Sequence, residues 1–399
     1  MPALSYLDLQ IEMPATEKAL PFDSAWLRTF RRKLRAWYDQ HARELPWRGT
    51  RDPYAIWLSE IMLQQTQVET VKPYFQRFLA ALPTIRALAQ ADERQVLRLW
   101  EGLGYYRRAR QLHQAARQIV AEHHGRFPID PQSVQRLPGI GRYTVGAILS
   151  IAFDQRQPIL EANTVRVFSR LLAYDGPTTS SAGQKLLWAA AEAVLPARDV
   201  GRFNQALMEL GSEVCRGRAP ACDVCPVAEL CFAQLRGLQN EIPRPKPRVQ
   251  FEELSEVAVL VRRRGRVLLI QWPEGRRWAG LWDFPRFAVN TNPKRQRGGD
   301  LAASLTLRVG VSRNREPAIH RALVDNVRRL TGVTITPGEH RKTLRHGVTR
   351  FRITLDCYEA EYVSHNGGGT ENLVQKWVRP AELEHYPLSS TGRKLAELV

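Results

Sequence analysis

Four cysteines close together are the feature that most restricts how this chain folds. They follow a C-x6-C-x2-C-x5-C pattern at Cys215, Cys222, Cys225 and Cys231. Four thiolates in so short a segment suit a soft, tetrahedral metal site, and the unequal spacing suits one [4Fe–4S] cluster with each cysteine on a different iron. Structural zinc and disulfides are the alternatives, but zinc ribbons usually contain two C-x2-C pairs, and only Cys222–Cys225 has that form. The pattern therefore favours a loop organised by one iron–sulfur cluster.

Charge and hydropathy restrict the partner and the location of the protein. The sequence has 399 residues, enough for two or three domains, and a formal net charge of +18. Such an excess of positive charge favours a polyanionic partner, with nucleic acid ahead of a membrane surface. The sequence contains no secretion signal and no apolar run of about 18 residues. Clustered cysteines favour a reducing compartment. We therefore expect a soluble monomer of a bacterial-type cytoplasm, associated with the nucleoid and not with a membrane.

Apolar residues recur at helical spacing from residue 23 to about residue 235. The first helix is expected to begin at Asp23 or Ser24, because either side chain can cap it. Further helices are predicted at 54–66, 70–81, 92–100, 105–123, 143–153, 163–173, 181–194 and 200–211. The pattern predicts a flexible tail over 1–22, an all-α domain over 23–236 and a proline-containing linker over 237–250.

The period of the apolar residues changes after the linker. Strands are predicted at 257–261, 267–270 and 351–355, with a helix at 317–330. Residues 290–315 are basic and contain few large apolar residues at their start, so we predict a surface insertion there. Residues 251–399 therefore form an α+β domain, and the fold class is multidomain, with an all-α domain first. The fifth cysteine, Cys357, is predicted to be a buried thiol in a strand.

Residues 137–146, LPGIGRYTVG, place two glycines around Ile140 in a tight turn between short helices. The free backbone N–H groups at the start of the second helix, with the helix dipole, form an anion site suited to a DNA phosphate. A turn of this kind can also be purely structural. Together with the four cysteines, it resembles the helix-hairpin-helix of the endonuclease III superfamily of base-excision DNA glycosylases. The candidate DNA-binding residues are Leu137, Gly139, Gly141 and Arg142.

Position 143 divides that superfamily. Members that also cleave the DNA backbone have a lysine there as a Schiff-base nucleophile, whereas this chain has Tyr143. The tyrosine, a candidate catalytic residue, resembles that of adenine DNA glycosylases. Further similarity to that family lies in LPWR at 45–48, WLSEIMLQQTQVETVKPYFQRF at 57–78 and WEGLGYYRRARQLHQAA at 100–116. The resemblance implies a monofunctional glycosylase that removes adenine mispaired with 8-oxoguanine or guanine in double-stranded DNA, as a step of base-excision repair.

The reaction requires an acid and a carboxylate. A purine leaves deoxyribose through an oxocarbenium-like transition state, so an acid must protonate the base and a carboxylate should stabilise the cationic sugar. Glu60 lies between apolar residues and is predicted to be partly desolvated, with the raised pKa that suits an acid. A solvated glutamate is the alternative. The match of Glu60 to the catalytic glutamate of the family favours the acid.

The second carboxylate departs from the family pattern. The family usually has Asp-Gly-Asn where this chain has Glu161, Ala162 and Asn163. The extra methylene of Glu161 moves the carboxylate by about 1.5 Å, and misplacement on that scale can cost on the order of a hundredfold in rate. We predict that Glu161 fills the role of the aspartate in an adapted catalytic pocket that also contains Asn163. The alternative is a glycosylase-like iron–sulfur protein that binds DNA with weak or no catalysis.

Extraction of a base from the stack requires wedges and a pocket. Gln65 and Tyr105 match family positions that intercalate near the mispair. Trp47, Arg48 and Gln205 match positions that line the adenine pocket, although ordinary core packing is the alternative for Trp47. These five residues are the candidate substrate-binding residues of the first part of the chain.

The C-terminal domain resembles a Nudix fold, as the lesion-sensing domain of the family does. A Nudix hydrolase needs a glutamate-rich helix to hold magnesium. This chain has Arg328 and Arg329 where the acidic pair would stand, so nucleotide hydrolysis by this domain is disfavoured. The family contacts 8-oxoguanine through a Phe-Ser-His turn; here Thr349 keeps a hydroxyl, while its neighbours Val348 and Arg350 do not match. A bifunctional thymine-glycol-type glycosylase is disfavoured by Tyr143 and by this whole domain.

Overall fold

Helices occupy the chain up to residue 235, as the sequence period predicts. A computed structural model describes residues 20–244, 250–289, 315–365, 367, 369–371 and 373–399. The predicted tail and insertion lie almost wholly outside these residues. The described helices are α1 (Ser24–His41), α2 (Pro53–Leu63), α3 (Val68–Ala81), α4 (Ile85–Gln90), α5 (Glu93–Trp100), α6 (Arg107–His123), α7 (Pro131–Gln135), α8 (Arg142–Phe153), α9 (Ala162–Leu171), α10 (Ser181–Ala193), α11 (Val200–Glu209) and α12 (Phe232–Leu235). No helix in this part of the chain is both long enough and apolar enough to cross a membrane.

The helix start predicted at residue 23 or 24 is confirmed. The Asp23 carboxylate accepts the Trp26 backbone N–H at 2.7 Å, which caps α1. Ordered packing reaches further back than predicted: Leu20 packs against the core that contains Phe22, and the Phe22 ring stacks on Trp26 with ring centroids 4.1 Å apart. The short helices α4 and α7 were not predicted individually, since five or six residues are too few to display a period.

The described residues divide into two compact units. The first is drawn from Met1–Glu60 and Phe127–Lys246, and the second from Ile61–Arg126 and Pro247–Val399. The first unit has a core of aromatic and aliphatic side chains centred on Phe30, Phe168 and Phe203, all fully buried. Ile242 of the predicted linker is also buried, and its carbonyl accepts from Arg170 Nε at 2.8 Å.

A buried ion cluster lies beside that core. The Glu209 side chain has no exposed surface, and its carboxylate accepts from Arg43 Nη2 at 2.8 Å and from Arg48 Nη2 at 2.6 Å. Burial alone would raise the pKa of Glu209, but the hydrogen bonds from the two guanidinium groups outweigh it and lower the pKa to about 2. Glu213 pairs with Arg43 at 2.7 Å from an exposed position.

The second unit contains one mixed sheet of seven strands. They are β1 (Glu252–Arg263), β2 (Arg266–Gln271), β3 (Trp282–Asp283), β4 (Arg286–Val289), β5 (Val333–Val348), β6 (Phe351–His365) and β7 (Val374–Val378). The order is β3-β2-β1-β6-β5, with β4 paired to β1 and β7 paired to β2. Only the β1–β6 pair is parallel among these ladders. The α+β class predicted for this part of the chain is confirmed.

Helices α13 (Arg315–Thr331) and α14 (Ser390–Ala396) cover the sheet. Val259 packs in one core with Leu323 of α13, and Leu260 packs in another with Leu395 of α14. Alternate residues of β1 therefore face opposite cores, as the period of two predicts. Cys357 is fully buried in the second of these cores, which confirms the predicted buried thiol. A tight turn at Arg264 and Gly265, with φ of 47° and 69°, joins β1 to β2.

Glu209→Gln is expected to lower the free energy of unfolding by about 3 kcal/mol near neutral pH, because two guanidinium groups then share the site without a carboxylate. The folded-state pKa lies below the ordinary value of 4.5, so the stabilisation is complete above that value and is lost as the pH falls toward 2. Urea unfolding of the wild type and the variant across this range measures both effects. Glu213→Gln, which removes an exposed partner of the same arginine, is the control and should cost less than about 1 kcal/mol. Equal losses in the two variants would contradict the prediction.

Candidate active site

A short hydrogen bond joins two of the predicted catalytic residues. Glu60 lies on α2 with 6% of its surface exposed, and Tyr143 is the second residue of α8. The Tyr143 hydroxyl donates to Glu60 Oε2 at 2.6 Å and contacts Met208 Sδ at 3.3 Å. Both residues belong to the first unit.

The environment of Glu60 gives its carboxyl an unusual protonation state. Burial raises the pKa of Glu60 to about 7; the hydrogen bond from Tyr143 acts in the opposite direction, and the charge of Glu161 adds to the rise. Near neutral pH a substantial fraction of Glu60 is therefore protonated. A carboxyl in this state can donate a proton, as a general acid must.

Glu161 caps a helix. It is the N-cap residue of α9, where Oε2 accepts the Asn163 N–H at 2.8 Å and Oε1 accepts the Thr164 N–H at 2.9 Å. The Thr164 hydroxyl in turn accepts the Glu161 N–H at 2.8 Å, which completes a capping box. The longer side chain thus folds back onto its own helix, and two backbone donors fix its carboxylate at the positive end of the dipole. Burial raises the pKa of Glu161, while these two amide hydrogen bonds oppose the rise.

The fourth predicted catalytic residue, Asn163, is held by an arginine of the same helix. Arg166 Nη2 donates to Asn163 Oδ1 at 2.8 Å and to the Gly211 carbonyl at 2.7 Å. Arg166 Nε donates to the Cys215 carbonyl at 2.6 Å. Gly211 is required here because a Cβ at that position would stand 2.7 Å from Asn163 Cβ. Arg166 was not predicted, although its place three residues after Asn163 puts it on the same helix face.

One turn further along α9, a second arginine reaches the cysteine segment. Arg170 Nη1 lies 3.2 Å from Cys215 Sγ and donates to the Arg216 carbonyl at 2.7 Å. The Cys231 thiol contacts the Arg170 carbonyl at 3.3 Å. Helix α9 therefore carries the candidate catalytic carboxylate at its start and holds the cysteine segment along its length.

The four cysteines of the predicted cluster are half-buried thiols, and none of them forms a disulfide. Burial raises the pKa of Cys225 to about 12, and the other three thiols contribute to the rise. Four thiolates here therefore need a cationic centre. Within the described residues, no group of three or more His, Cys, Asp or Glu side chains is arranged around one ion. Four thiols are a donor set that both iron–sulfur clusters and structural zinc sites use, so the chemistry of these residues fits a bound metal centre.

The predicted hairpin is present as two short helices joined by a glycine turn. Helix α7 and helix α8 flank it, and the Ile140 N–H donates to the Leu137 carbonyl at 3.2 Å. Gly139 has φ of 79°, a conformation that favours glycine. Leu137 is buried, whereas Gly141 and Arg142 are exposed. The Arg142 guanidinium lies 3.8 Å from the centroid of the Trp188 ring. DNA binding by these residues stays a prediction.

The three residues predicted for the adenine pocket lie in the first unit. Trp47 is buried. Arg48 and Gln205 both line a cavity of about 550 Å³, and Tyr38 lies between them. The Tyr38 hydroxyl donates to Gln205 Oε1 at 3.0 Å, and its ring centroid lies 5.5 Å from the Arg48 guanidinium. Glu209, the carboxylate partner of Arg48, was not predicted.

Gln65, Tyr105 and Thr349 line a single cavity of about 890 Å³ in the second unit. Each of the three has a positive φ, between 49° and 58°. Tyr105 is 52% exposed, and the Thr349 hydroxyl donates to the Val348 carbonyl at 2.7 Å. Six basic residues that were not predicted as site residues line the same cavity: Arg107, Arg108, Arg110, Arg276, Arg277 and Lys394. The cavity therefore combines an exposed ring, an amide and positive charge.

Comparison with known proteins identifies the class. Residues 58–191 match the family described as HhH-GPD superfamily base excision DNA repair protein, and residues 256–398 match the NUDIX domain. The fold is thus a helix-hairpin-helix glycosylase domain followed by a Nudix-like domain, as predicted. The protein is a DNA N-glycosylase, and these matches do not support the alternative of a DNA-binding protein without catalysis.

The relatives narrow the class to one family. The chain is 31% identical to an adenine DNA glycosylase of Rattus norvegicus, over 96% of this chain and 80% of the relative. It is 35% identical to an adenine DNA glycosylase of Homo sapiens, over 94% of this chain and 74% of the relative. The chain belongs to the adenine DNA glycosylase family. A solved thermostable thymine-DNA glycosylase is similar to this chain with a TM-score of 0.48 and 29% identity, over 53% of this chain and 97% of that chain.

Glu60→Gln is expected to raise the free energy of unfolding by about 3 kcal/mol near pH 8 and to leave it unchanged near pH 4. The folded-state pKa of about 7 exceeds the ordinary value of 4.5. Ionisation of Glu60 therefore destabilises the folded state from about pH 4.5 upward, in full above pH 7, and glutamine does not ionise. Thermal or urea unfolding at both pH values measures the difference. Glu44→Gln, at an exposed glutamate, is the control; the same pH dependence in both variants would refute the prediction.

Proposed function

We propose that this enzyme hydrolyses the N-glycosidic bond of adenine mispaired with 8-oxoguanine or guanine in double-stranded DNA, and that it does not cut the backbone. The observation that carries the proposal is the 2.6 Å hydrogen bond from Tyr143 to a buried Glu60 whose pKa is about 7. A proton donor in a dry site is what departure of a purine requires. The family names of the relatives agree with adenine as the base.

In the proposed mechanism the two glutamates have different roles. The protonated Glu60 carboxyl donates to the purine ring, which weakens the bond to the sugar. Glu161, fixed by two backbone amides, remains a carboxylate and stabilises the oxocarbenium-like sugar. Water then adds to the sugar and loses a proton to the Glu60 carboxylate, which gives an abasic site and restores the acid. Tyr143 holds the Glu60 carboxyl in place and offers no amine for a Schiff base, so the reaction ends with the free base.

Two regions support double-stranded DNA as the substrate. The hairpin with Gly139, Gly141 and Arg142 is suited to a backbone phosphate. The cavity with Gln65, Tyr105 and Thr349 is suited to the bases of the mispair, because stacking on an exposed ring and nearby positive charge favour a displaced nucleotide. In this proposal the Thr349 hydroxyl meets the oxidised base opposite the adenine.

The cysteines are proposed to hold one [4Fe–4S] cluster. Cys215, Cys222, Cys225 and Cys231 would each bind a different iron, and the cluster would supply a rigid crosslink within the segment that α9 contacts. Glycosidic hydrolysis needs no electron transfer, so the cluster has no step in the mechanism. Iron, sulfide and zinc analysis of the purified protein tests this assignment. The protein is further proposed to act as a monomer in a bacterial-type cytoplasm, on nucleoid DNA.

Glu60→Gln is expected to abolish turnover of adenine opposite 8-oxoguanine, because glutamine cannot donate the proton. Glu161→Asp should retain activity, since aspartate also caps helices well, whereas Glu161→Ala should lose at least about a hundredfold. Single-turnover incubation with duplexes that pair adenine with 8-oxoguanine or guanine, developed with and without alkali, measures these rates. Strand breaks without alkali would disprove the monofunctional reaction. Full activity of Glu161→Ala would disprove the role of that carboxylate.

Tyr143→Phe is expected to move the alkaline limb of the pH–rate profile to higher pH. The hydrogen bond from Tyr143 lowers the pKa of Glu60, so its loss lets burial raise that pKa further and keeps the acid protonated to higher pH. Single-turnover rates of wild type and variant across about pH 5 to 9 measure the shift. A profile that falls in rate without moving along the pH axis would mean that Tyr143 does not set the protonation of Glu60.

A further inference from the structure

One guanidinium group joins the segment that carries Gln65 to the segment that carries Tyr105. Arg108 lies in the first turn of α6, and its partners within residues 61–66 and 103–105 belong, as it does, to the second unit. Its Nη1 donates to the Ile61 carbonyl at 2.9 Å and to the Met62 carbonyl at 3.1 Å, and it also donates to the Gln64 carbonyl. Arg108 therefore satisfies carbonyl groups at the C-terminal end of α2, which have no partner within the helix.

The other nitrogen of the same group reaches the second segment. Arg108 Nη2 lies 3.4 Å from the carbonyls of Leu103 and Gly104, and 3.3 Å from the Thr66 hydroxyl. The guanidinium carbon stands 5.5 Å from the centroid of the Tyr105 ring. The planar fork of arginine can serve two chain segments at once, which a lysine ammonium group cannot do to the same extent.

Both segments hold a residue in a costly conformation. Gln65 has φ of 58° and Tyr105 has φ of 49°, and neither is glycine. A left-handed backbone costs about 1–2 kcal/mol at such residues and persists only where the surroundings enforce it. Both side chains are exposed, so their own packing does not enforce it. The hydrogen bonds of Arg108 to the adjoining carbonyls hold these two residues in the left-handed conformation.

Burial of the Arg108 guanidinium carries a desolvation cost. Arg108 is 9% exposed, and burial lowers the pKa of its guanidinium to about 10, with Tyr105 opposing the change. In the part of the chain that the structure describes, no salt bridge to a carboxylate compensates it. A buried cation whose partners are carbonyls, one hydroxyl and aromatic rings, with no carboxylate among them, is rare unless its geometry is needed.

We propose that Arg108 is a positioning residue that presents Gln65 and Tyr105 as one rigid element. This inference rests on the proposed function, in which these two side chains meet the mispair. Presented together, they enter the stack without a further loss of backbone freedom, which favours extrusion of the adenine. Loss of Arg108 therefore weakens extrusion of the base, while the proton transfer by Glu60 and the binding of the DNA backbone are left in place.

The test separates extrusion from chemistry. In the Glu60→Gln background, 2-aminopurine replaces the adenine opposite 8-oxoguanine, and its fluorescence rises when the base leaves the stack. Adding Arg108→Gln is expected to reduce the extruded-to-stacked ratio about tenfold, while DNA affinity measured by anisotropy changes less than about threefold. Arg108→Lys should give an intermediate ratio. Hydrogen exchange should quicken at residues 64–66 and 102–105 in the Arg108→Lys protein.

Arg117→Gln provides the matched control, because it removes an exposed arginine from the same helix. Neither the 2-aminopurine fluorescence nor the hydrogen exchange should change in this variant. An unaltered fluorescence rise in folded Arg108→Gln would overturn the inference. If that variant does not fold, Arg108→Lys decides: a folded lysine variant with the full rise and unchanged exchange would also overturn it. Failure of the proposed function has a different signature, since the Glu60→Gln protein with Arg108 intact would then give no rise on this duplex.

Discussion

The contacts made by the two arginines of α9 are the constraint on which the candidate active site depends. The helix begins at the Glu161 carboxylate, and Arg166 and Arg170, four residues apart, both reach Cys215. Because a helix is stiff, any displacement of the cysteine segment is transmitted to the Asn163 side chain through Arg166. The cysteine segment is thus part of the frame around Asn163 and the candidate catalytic carboxylate of Glu161, although hydrolysis of a glycosidic bond uses none of the cysteines.

The two glutamates show how environment divides one functional group into two roles. Glu60 is buried and receives a single hydroxyl donor, so its carboxyl keeps a proton up to about pH 7. Glu161 receives two backbone N–H donors at a helix N-terminus, which counteract its burial. The negative charge of Glu161 in turn helps to keep the proton on Glu60. The two environments therefore treat the same functional group differently.

The sequence predicted the parts of this fold that are local or periodic. The Asp23 cap, the glycine turn at Gly139 and the alternation of β1 were all read from short patterns. Strand β5 was missed because its exposed half is charged, as in Glu339 and Arg341, and shows no apolar alternation. The roles of Glu209 and Arg108 were missed for a different reason: their partners lie far away along the chain, and no sequence spacing reports such contacts.

The candidate site was predictable in identity but not in geometry. Similarity to a family pointed to Glu60, Tyr143 and Glu161, and the structure brings the first two into contact. The capping box of Glu161 could not be foreseen, since it depends on an extended backbone at that residue and on the Thr164 hydroxyl. That box explains how a side chain longer than the usual aspartate is accommodated at the start of α9.

The way in which the chain divides into units has a consequence for its synthesis. The second unit combines Ile61–Arg126 with Pro247–Val399, and its central parallel pair joins β1 to β6. The ribosome therefore releases the helical part of this unit long before the strands that complete it. The first unit in turn consists of two segments that are separated along the chain by Ile61–Arg126. The contacts within the second unit between Ile61–Arg126 and Pro247–Val399 therefore form only after nearly the whole chain has been synthesised.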